Sequence, residues 1–462
     1  MMHFIDKLDT QFQEAILWLD SHDVYSIDTE TTGLDPQTDK VLLLQIGNAQ
    51  DQWVYDIYRL RHNLSPILQY LQDETKVKIL HNAQFDYKML KGHFGISMNN
   101  LRCTMIAEQL LNRGLNTSAS LAFVAKKYIG IDLDKTERAS FLNTAYGQKL
   151  TKEQIEYAGD DVVFLEEILE KQMKEIKVHD LEIVSQIEFD VISVLGDMSF
   201  AGIYIDPSRW LPLEEAAIKN SEKLKSELDG YFLPLLPPPP PPPPVEYYKN
   251  GKPKKPKKQK PWGVNYNSAK QVLPLLQELT GIDLTCTDAK YLEEFKNVHA
   301  GLGALVKYKK ELKKISTYGS VFLEHVHPKT QRIHSDFVQI GAETGRLSSN
   351  NPNMMNLPKQ QEYRTPFCVQ DKDWKFISAD YSGQELRVLA QLSGEEGFIN
   401  AIKNGMDLHS YSASLLFGIP YEDFLLYDEQ GNVMYDDAGE PKIKPEMKKK
   451  YRNPCKTITF GG

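Results

Sequence analysis

The chain has 462 residues, of which 41% are hydrophobic and 25% are charged, and its formal net charge is −9 at pH 7. The length predicts about two to four domains. The acidic balance excludes a wholly basic polyanion-binding protein but is compatible with a local basic groove. Neither a membrane-spanning apolar run nor a secretory signal is visible. The four cysteines form no CxxC pair, which argues against a zinc or redox motif and favours a reducing, cytosolic setting.

The first 178 residues have the pattern of an α/β domain. Runs rich in Val, Ile, Leu and Tyr, bounded by turn residues, predict strands over 24–30, 41–48, 53–57 and 76–82. Apolar periodicity predicts helices over 85–95, 103–113, 118–129 and 151–177.

A mostly helical region is expected over 181–330, interrupted by a Pro/Lys-rich insertion at 234–261. Its run Pro237–Pro244 predicts a stiff polyproline II spacer. The Lys/Pro stretch 251–261 is either a solubilising linker or a flexible arm over nucleic-acid phosphates. Mixed α/β character returns over 331–462, where residues 425–445 are typical of an inserted loop or hairpin. We identify no internal repeat.

Four carboxylates and a tyrosine form the first candidate site. Asp28 and Glu30 are two apart on a predicted strand and so point to one face. Asp86 opens a predicted helix, and Asp161 follows Tyr157 by one helical turn. Carboxylates gathered in this way repel one another unless hard divalent cations, Mg²⁺ or Mn²⁺, lie among them. Two such ions would stabilise both the attacking and the leaving oxygen of a phosphodiester cleavage, with the tyrosine orienting the attacking water.

Three segments carry a family resemblance: DTETTGL (28–34), HNAQFD (81–86) and YAGDDVVFLEEI (157–168). They resemble the three motifs of the DEDD exonuclease superfamily, in the variant with Tyr in the third motif. Residues 133–141 (LDKTERASF) are similar to a segment of RNase D-like and proofreading domains. The resemblance implies a ribonuclease H-like fold over residues 1–178 and removal of nucleotides from a 3′ end. It also implies that the four carboxylates are metal ligands and that Asn82 contacts DNA.

From residue 181 the chain resembles family A DNA polymerases. Residues 187–206 resemble the helix that opens the polymerase region, and residues 265–276 and 308–319 resemble segments of the thumb. Residues 343–358 resemble the primer–template motif, and residues 379–394 resemble motif A. Residues 407–420 resemble the segment that leads into the fingers, and residues 452–462 resemble motif B. Gly383 and Gln384 replace the usual Gln-Ile pair of motif A, and Met355 replaces a usual Gln of the primer–template motif. The resemblance implies a thumb over 181–330 and part of an α+β palm and fingers over 331–462.

The residues of motif A carry expected roles. Asp380 follows the apolar run WKFISA, which predicts a strand with this carboxylate at its end. The resemblance implies that Asp380 coordinates both polymerase metals, helped by the backbone of Tyr381. It implies that Glu385 lies under the sugar of the incoming nucleotide and excludes a 2′-hydroxyl.

A second group is expected to hold nucleotide and DNA. Arg452, Lys456 and Phe460 recur every four residues, which places them on one helix face. By resemblance, the two cations grip the incoming triphosphate and the ring stacks near it, while Arg346 and Asn356 contact the primer–template duplex.

The sequence is therefore expected to be the N-terminal part of a family A DNA polymerase with a proofreading exonuclease. DNA and dNTP would be its partners, in the cytoplasm of a bacterium or a phage-infected host and away from membranes. We expect an arrangement without a preceding 5′-nuclease, which resembles that of phage-type and other short enzymes. The chain stops inside motif B, before the motif C carboxylate. We expect a truncated reading frame or a gene split by an intein, intron or frameshift, with a second polypeptide then supplying motif C.

Two other functions remain open. One is a stand-alone RNase D-like 3′-5′ exoribonuclease with a C-terminal nucleic-acid-binding module. The other is a non-catalytic DNA-binding or split-subunit role. Digestion of DNA and RNA of matched sequence would distinguish the first from a proofreading enzyme.

Overall fold

The structure is a computed structural model that describes residues 1–112, 115, 117–133, 138–241, 262–436 and 439–456, except for the side chains of His62 and Arg138. The described chain forms two compact units, Met1–Trp374 and Lys375–Gly462. Phe460, the Lys/Pro stretch 251–261, the end of the proline run and residues 134–137 lie outside the described residues.

A six-stranded sheet forms the centre of the first unit. Its strands are β1 Met2–Ile5, β2 Val24–Thr31, β3 Val41–Gly47, β4 Gln52–Asp56, β5 Val77–Leu80 and β6 Leu101–Cys103, in the order β1-β4-β3-β2-β5-β6. β3 runs antiparallel to β2 and β4, and the other neighbouring pairs are parallel. The four predicted strands are confirmed as the inner four. The sequence prediction missed β1 and β6, which are short edge strands.

Nine helices are described around this sheet. They are α1 Thr10–Ser21, α2 Ile57–Leu60, α3 Ser65–Gln72, α4 Ala83–Phe94, α5 Thr104–Asn112, α6 Leu121–Ile129, α7 Arg138–Phe141, α8 Lys152–Asp160 and α9 Leu165–Val178. The single helix predicted over 151–177 was wrong, because the chain leaves the helix at 161–164. Two adjacent β-branched residues, Val162 and Val163, lie in this break, and such residues are crowded in a helix.

The core of this part fixes the strand that carries the first motif. Every residue of β3 is buried, as is typical of a central strand covered on both faces. On β2, the side chains of Tyr25 and Ile27 are fully buried. Burying large apolar side chains contributes about 1.5–3 kcal/mol each. The alternation of β2 is therefore firmly specified, because a one-residue slip would turn this apolar set to the face that carries Asp28 and Glu30.

Helices dominate the remainder of the first unit. They are α10 Glu182–Ala201, α11 Pro207–Phe232, α12 Ala269–Thr280, α13 Ala289–Glu293, α14 Ala300–Tyr318 and α15 Ser320–Leu323. The short strands are β7 Ile203–Tyr204, β8 Arg332–Ile333, β9 Asp336–Val338 and β10 Ser348–Asn350. Side-chain contacts join this region to the sheet domain; among them, His327 Nε2 lies 2.9 Å from Asp35 Oδ2, and Lys88 forms an ion pair with Asp336, with Nζ 2.8 Å from Oδ1.

The second unit is also mostly helical. Its helices are α16 Gln384–Ser393, α17 Glu396–Lys403, α18 Leu408–Phe417 and α19 Pro445–Met447, followed by a π-helical turn Lys448–Arg452. Single 3₁₀ turns elsewhere in the chain span Arg61–Leu64, Leu233–Leu235, Gln361–Tyr363 and Tyr421–Phe424. The predicted hairpin is confirmed by the bridge between Leu425 and Ile443.

The strand predicted over the run WKFISA is not formed. Residues 375–380 have no regular structure, and the side chain of Ile377 is 88% exposed. A strand exists only where a neighbour pairs with its backbone groups, and no described residue of this unit does so. The mixed α/β fold class is confirmed. None of the described helices is both long and apolar enough to cross a membrane.

Candidate functional site

Three carboxylates meet at the end of β2. Asp28 and Glu30 lie on this strand, and Asp161 caps the C-terminus of α8. Each side chain offers an oxygen, and these oxygens lie within 4.8 Å of one another. Glu30 is buried, whereas Asp28 and Asp161 are half-buried, so the cluster is open on one side.

Asp86 reaches the same place from α4. It lies in the first turn of this helix, where the helix dipole favours a negative charge, and its side chain is 2% exposed. Thr29 Oγ1 donates a 2.6 Å hydrogen bond to Asp86 Oδ1. Asn82, at the N-cap of the helix, has a φ of 60°, so the chain turns sharply from β5 into α4.

The carboxylates open into a cavity of about 300 Å³. Its lining includes all six residues that the sequence predicted for this site: Asp28, Glu30, Asn82, Asp86, Tyr157 and Asp161. It also includes residues that were not predicted: Thr29, His81, Phe85, Met105, Ser120, Leu121 and Ala122. His81 directly precedes Asn82 in the second motif, a position that could have signalled its place in the wall.

Tyr157 stands beside the cluster in a protonated state. Burial raises the pKa of its phenol, and the nearby carboxylates of Asp161, Glu30 and Asp28 raise it further. The hydroxyl is therefore a hydrogen-bond donor and acceptor across the ordinary pH range, and not a base. The neighbouring Asp160 is exposed.

The donor set suits hard divalent cations. Three carboxylate oxygens within 4.8 Å of one another repel strongly as anions, and a divalent cation between them removes this repulsion. Oxygen-only ligands favour Mg²⁺ or Mn²⁺ over softer metals. Asp86, held from one side by Thr29, adds a fourth carboxylate to the same cavity.

The second unit contains a larger cavity of about 550 Å³. Two of the residues predicted to grip a triphosphate, Arg452 and Lys456, line it. Arg452 is engaged by Asp407 in a two-point ion pair, with Nε 2.8 Å from Oδ1 and Nη2 2.7 Å from Oδ2. His409 also lines this cavity and was not predicted, although its place two residues after the helix-capping Asp407 in the DLHS segment was a signal.

The other predicted polymerase residues lie at exposed positions. Asp380 and Tyr381 precede α16, Glu385 is in the first turn of this helix, and all three are exposed. Arg346 and Asn356 are exposed residues of the first unit. The backbone carbonyl of Asn356 accepts a 2.5 Å hydrogen bond from the hydroxyl of Tyr318.

Known proteins match both parts of the chain. Residues 3–177 match the family model described as 3'-5' exonuclease, and residues 254–426 match the one described as DNA polymerase family A. DNA polymerase I of Chloroflexus aurantiacus is 29% identical over 443 residues, which cover 89% of this chain and 43% of that protein. DNA polymerase I of Borreliella burgdorferi is 30% identical over 416 residues, which cover 85% of this chain and 42% of that protein.

A solved structure shows the same fold. The POL domain of Pol1 from M. smegmatis, in complex with DNA primer-template and dNTP, matches with a TM-score of 0.67 and 22% identity over 97% of this chain and 69% of that one. The chain spans less than half the length of the two curated relatives. It belongs to DNA polymerase family A and carries the 3'-5' exonuclease domain of that family before the polymerase region.

Proposed function

We propose that residues 1–178 form a two-metal exonuclease that removes nucleotides from the 3′ ends of DNA. The observation that carries this proposal is the meeting of Asp28, Glu30 and Asp161 oxygens within 4.8 Å in an open cavity. These three residues and Asp86 would hold two ions, Mg²⁺ or Mn²⁺. When bound, such ions would lower the pKa of the attacking water and stabilise the negative charge that develops on the leaving oxygen of the phosphodiester.

The side chains of the protein orient the reactants. The neutral phenol of Tyr157 offers a hydrogen bond to the attacking water, because its proton stays on the oxygen. The hydrogen bond from Thr29 holds one oxygen of Asp86 and so orients this carboxylate within the cavity. Phe85, Met105 and Leu121 give the cavity an apolar wall against which a terminal base can pack.

The expected substrate is a frayed or mismatched DNA end. The carboxylates line a cavity, so a single strand must enter it to bring its last phosphodiester among them. An end that has lost its base pair enters without the cost of melting a duplex. Together with the family A polymerase region, this supports a proofreading role.

The test is digestion of a 5′-labelled single-stranded DNA by the purified chain with Mg²⁺, Mn²⁺ or EDTA. We expect stepwise shortening from the 3′ end with either ion and none in EDTA. The double variant Asp28→Ala, Glu30→Ala should lose this activity, while Asp160→Asn, which changes an exposed neighbour of Asp161, should keep it. Unchanged digestion by the double variant would contradict the proposal.

The RNase D-like alternative is tested with the same protein. An RNA of matched sequence should be shortened more slowly than DNA if the enzyme proofreads. Faster digestion of the RNA would favour an exoribonuclease. The non-catalytic alternative predicts that neither strand is shortened.

We further propose that residues 181–330 act as a thumb and residues 331–462 as part of a palm and fingers that bind primer–template and dNTP. Support comes from the cavity that Arg452 and Lys456 line. Asp380 and the backbone of Tyr381 would hold two polymerase metals, and Glu385 would lie under the sugar. Arg346 and Asn356 would contact the duplex, and Phe460, outside the described residues, would stack near the nucleotide.

A second polypeptide that supplies motif C is part of this proposal. What supports it is the exposure of three large apolar side chains in and beside motif A, those of Phe376, Ile377 and Leu392, which are 62%, 88% and 82% exposed. Exposed large apolar side chains are candidates for an interaction site. Primer extension should rise when a polypeptide carrying motif C is added. If the chain extends a primer by itself and the added polypeptide does not change the rate of extension, the proposal of a second polypeptide is contradicted.

A further inference from the structure

The inserted hairpin of the second unit contains the same short sequence pattern twice. Tyr427–Asn432 and Tyr435–Glu440 share the pattern Tyr-Asp-x-x-Gly, eight residues apart. In the first turn, Asp428 Oδ1 accepts hydrogen bonds from the backbone N–H groups of Gln430 (2.9 Å) and Asn432 (2.8 Å). In the second, Asp436 Oδ1 accepts one from the N–H of Glu440 (3.0 Å). The sequence prediction missed this short repeat.

The two turns differ in the hydrogen-bond partner of their last side chain. Asn432 Nδ2 donates to Asp428 Oδ2 of its own turn, at 3.2 Å. Glu440, at the equivalent position, leaves its turn and accepts a 2.5 Å hydrogen bond from Ser382 Oγ. Ser382 belongs to motif A. In the second turn, the carboxylate of Glu440 therefore contacts Ser382 of motif A, whereas in the first turn the side chain of Asn432 bonds to Asp428 within the same turn.

Glu440 lies in the wall of the 550 Å³ cavity. The same wall contains five cationic side chains: Arg387, Lys442, Lys448, Arg452 and Lys456. The hydrogen bonds that Arg452 donates to Asp407 raise the pKa of Arg452, and the charge of Glu440 raises it further. The carboxylate of Glu440 is thus close enough to act on the cation that is expected to bind the triphosphate.

We propose that Glu440 is a specificity-determining residue that disfavours free polyphosphate in this cavity and favours a nucleotide complexed with a divalent cation. The inference rests on the proposed nucleotide site. A free triphosphate brings several negative charges beside a fixed carboxylate, and that repulsion is large where the site is partly shielded from water. A bound divalent cation reduces the charge of the nucleotide and with it the repulsion.

The test is binding of a fluorescent dATP analogue, measured by anisotropy with the whole chain. In EDTA, Glu440→Gln should tighten binding about five-fold relative to wild type, because one unit of repelling charge is removed. With Mg²⁺ the gain should be about two-fold or less, and added salt should reduce both gains by screening.

Two control variants separate charge from structure. Glu429→Gln removes the same charge from the exposed first turn and should leave binding unchanged. Ser382→Ala removes the hydroxyl that holds Glu440 but keeps the carboxylate, so it should not tighten binding. If it tightens binding as much as Glu440→Gln does, the effect comes from the lost contact and the proposal is wrong.

The outcomes distinguish this inference from the nucleotide site on which it rests. Wild type and Glu440→Gln binding equally well in EDTA would overturn the role of Glu440 and leave the site intact. Binding by neither protein, with or without Mg²⁺, would overturn the nucleotide site and this role with it. Binding by Glu440→Gln alone in EDTA would support both, and Arg452→Gln should then abolish it.

Discussion

Thr29 Oγ1 donates a 2.6 Å hydrogen bond to Asp86 Oδ1, which joins the strand of the first motif to the helix of the second. Both side chains are buried. A hydrogen bond to a carboxylate is stronger than one between neutral groups, and it fixes the direction of the second oxygen. The positions of two of the elements that are proposed to bind metal are therefore coupled by a residue that is not itself expected to bind metal.

Thr29→Val should reduce exonuclease activity about 10–100-fold, the range found when a partner of a metal ligand is lost. Valine keeps the shape and removes the hydroxyl, so Asp86 loses its orientation. Thr29→Ser keeps the hydroxyl and should retain most activity. The measurement is the single-turnover rate with increasing Mg²⁺. Equal rates for the valine and serine variants would show that the hydrogen bond has no part in the reaction.

Tyr157→Phe should lower the exonuclease rate about 10-fold, the effect of losing one orienting hydrogen bond of about 1.4 kcal/mol. Burial, and then the charges of Asp161, Glu30 and Asp28, raise the pKa of the phenol, so it stays neutral through the ordinary alkaline limit of tyrosine. Wild type and variant should therefore show pH–rate profiles of the same shape up to about pH 10. A fall of the wild-type rate near neutral pH that the variant lacks would assign an acid–base role to this tyrosine instead.

The sequence was sufficient for the parts of the site that depend on local periodicity. Strand alternation placed Asp28 and Glu30 together, and one helical turn placed Tyr157 beside Asp161. It could not predict the contact of Thr29 with Asp86, because this contact depends on how α4 docks against β2.

The same limit explains the errors elsewhere in the chain. The run WKFISA has the composition of a strand, but pairing depends on a neighbouring strand that composition does not reveal. The break at 161–164 divides a pattern whose apolar spacing continues into α9. The Tyr-Asp-x-x-Gly repeat is too short to detect by periodicity, and only the shared hydrogen bonds of Asp428 and Asp436 reveal it.

Gly92→Ala should destabilise the first unit by about 2–3 kcal/mol, a typical cost of overpacking. A Cβ at this position would lie 2.0 Å from the backbone oxygen of Pro36, in the loop that follows β2. Gly230→Ala is the matched control, since a Cβ there meets nothing within 4 Å and the helix should gain about 0.5–1 kcal/mol. Urea unfolding measures both. Equal stability of the two variants would show that the Pro36 loop moves aside freely.

Asp407→Asn should destabilise the second unit by about 2 kcal/mol, less than for a fully buried pair because the side chains of Arg452 and Asp407 are 18% and 14% exposed. Burial alone would raise the pKa of Asp407, but the hydrogen bonds and charge of Arg452, with further hydrogen bonds from Ser410, outweigh it and leave this pKa lowered. A carboxyl group with a lowered pKa in the folded state stabilises the protein above its unfolded pKa. That contribution is lost as the pH falls through the folded pKa.

The wild-type unit should therefore lose stability on acidification, while the asparagine variant should lose less, so that their free energies of unfolding converge at low pH. Urea titrations at about pH 7 and about pH 3, on either side of most of the carboxyl titration, measure this difference. Asp423→Asn removes an exposed carboxylate of the same unit and should follow the wild type. A constant gap between wild type and Asp407→Asn at both pH values would mean that the pair acts through packing and hydrogen-bond shape, and not through the charge of the carboxylate.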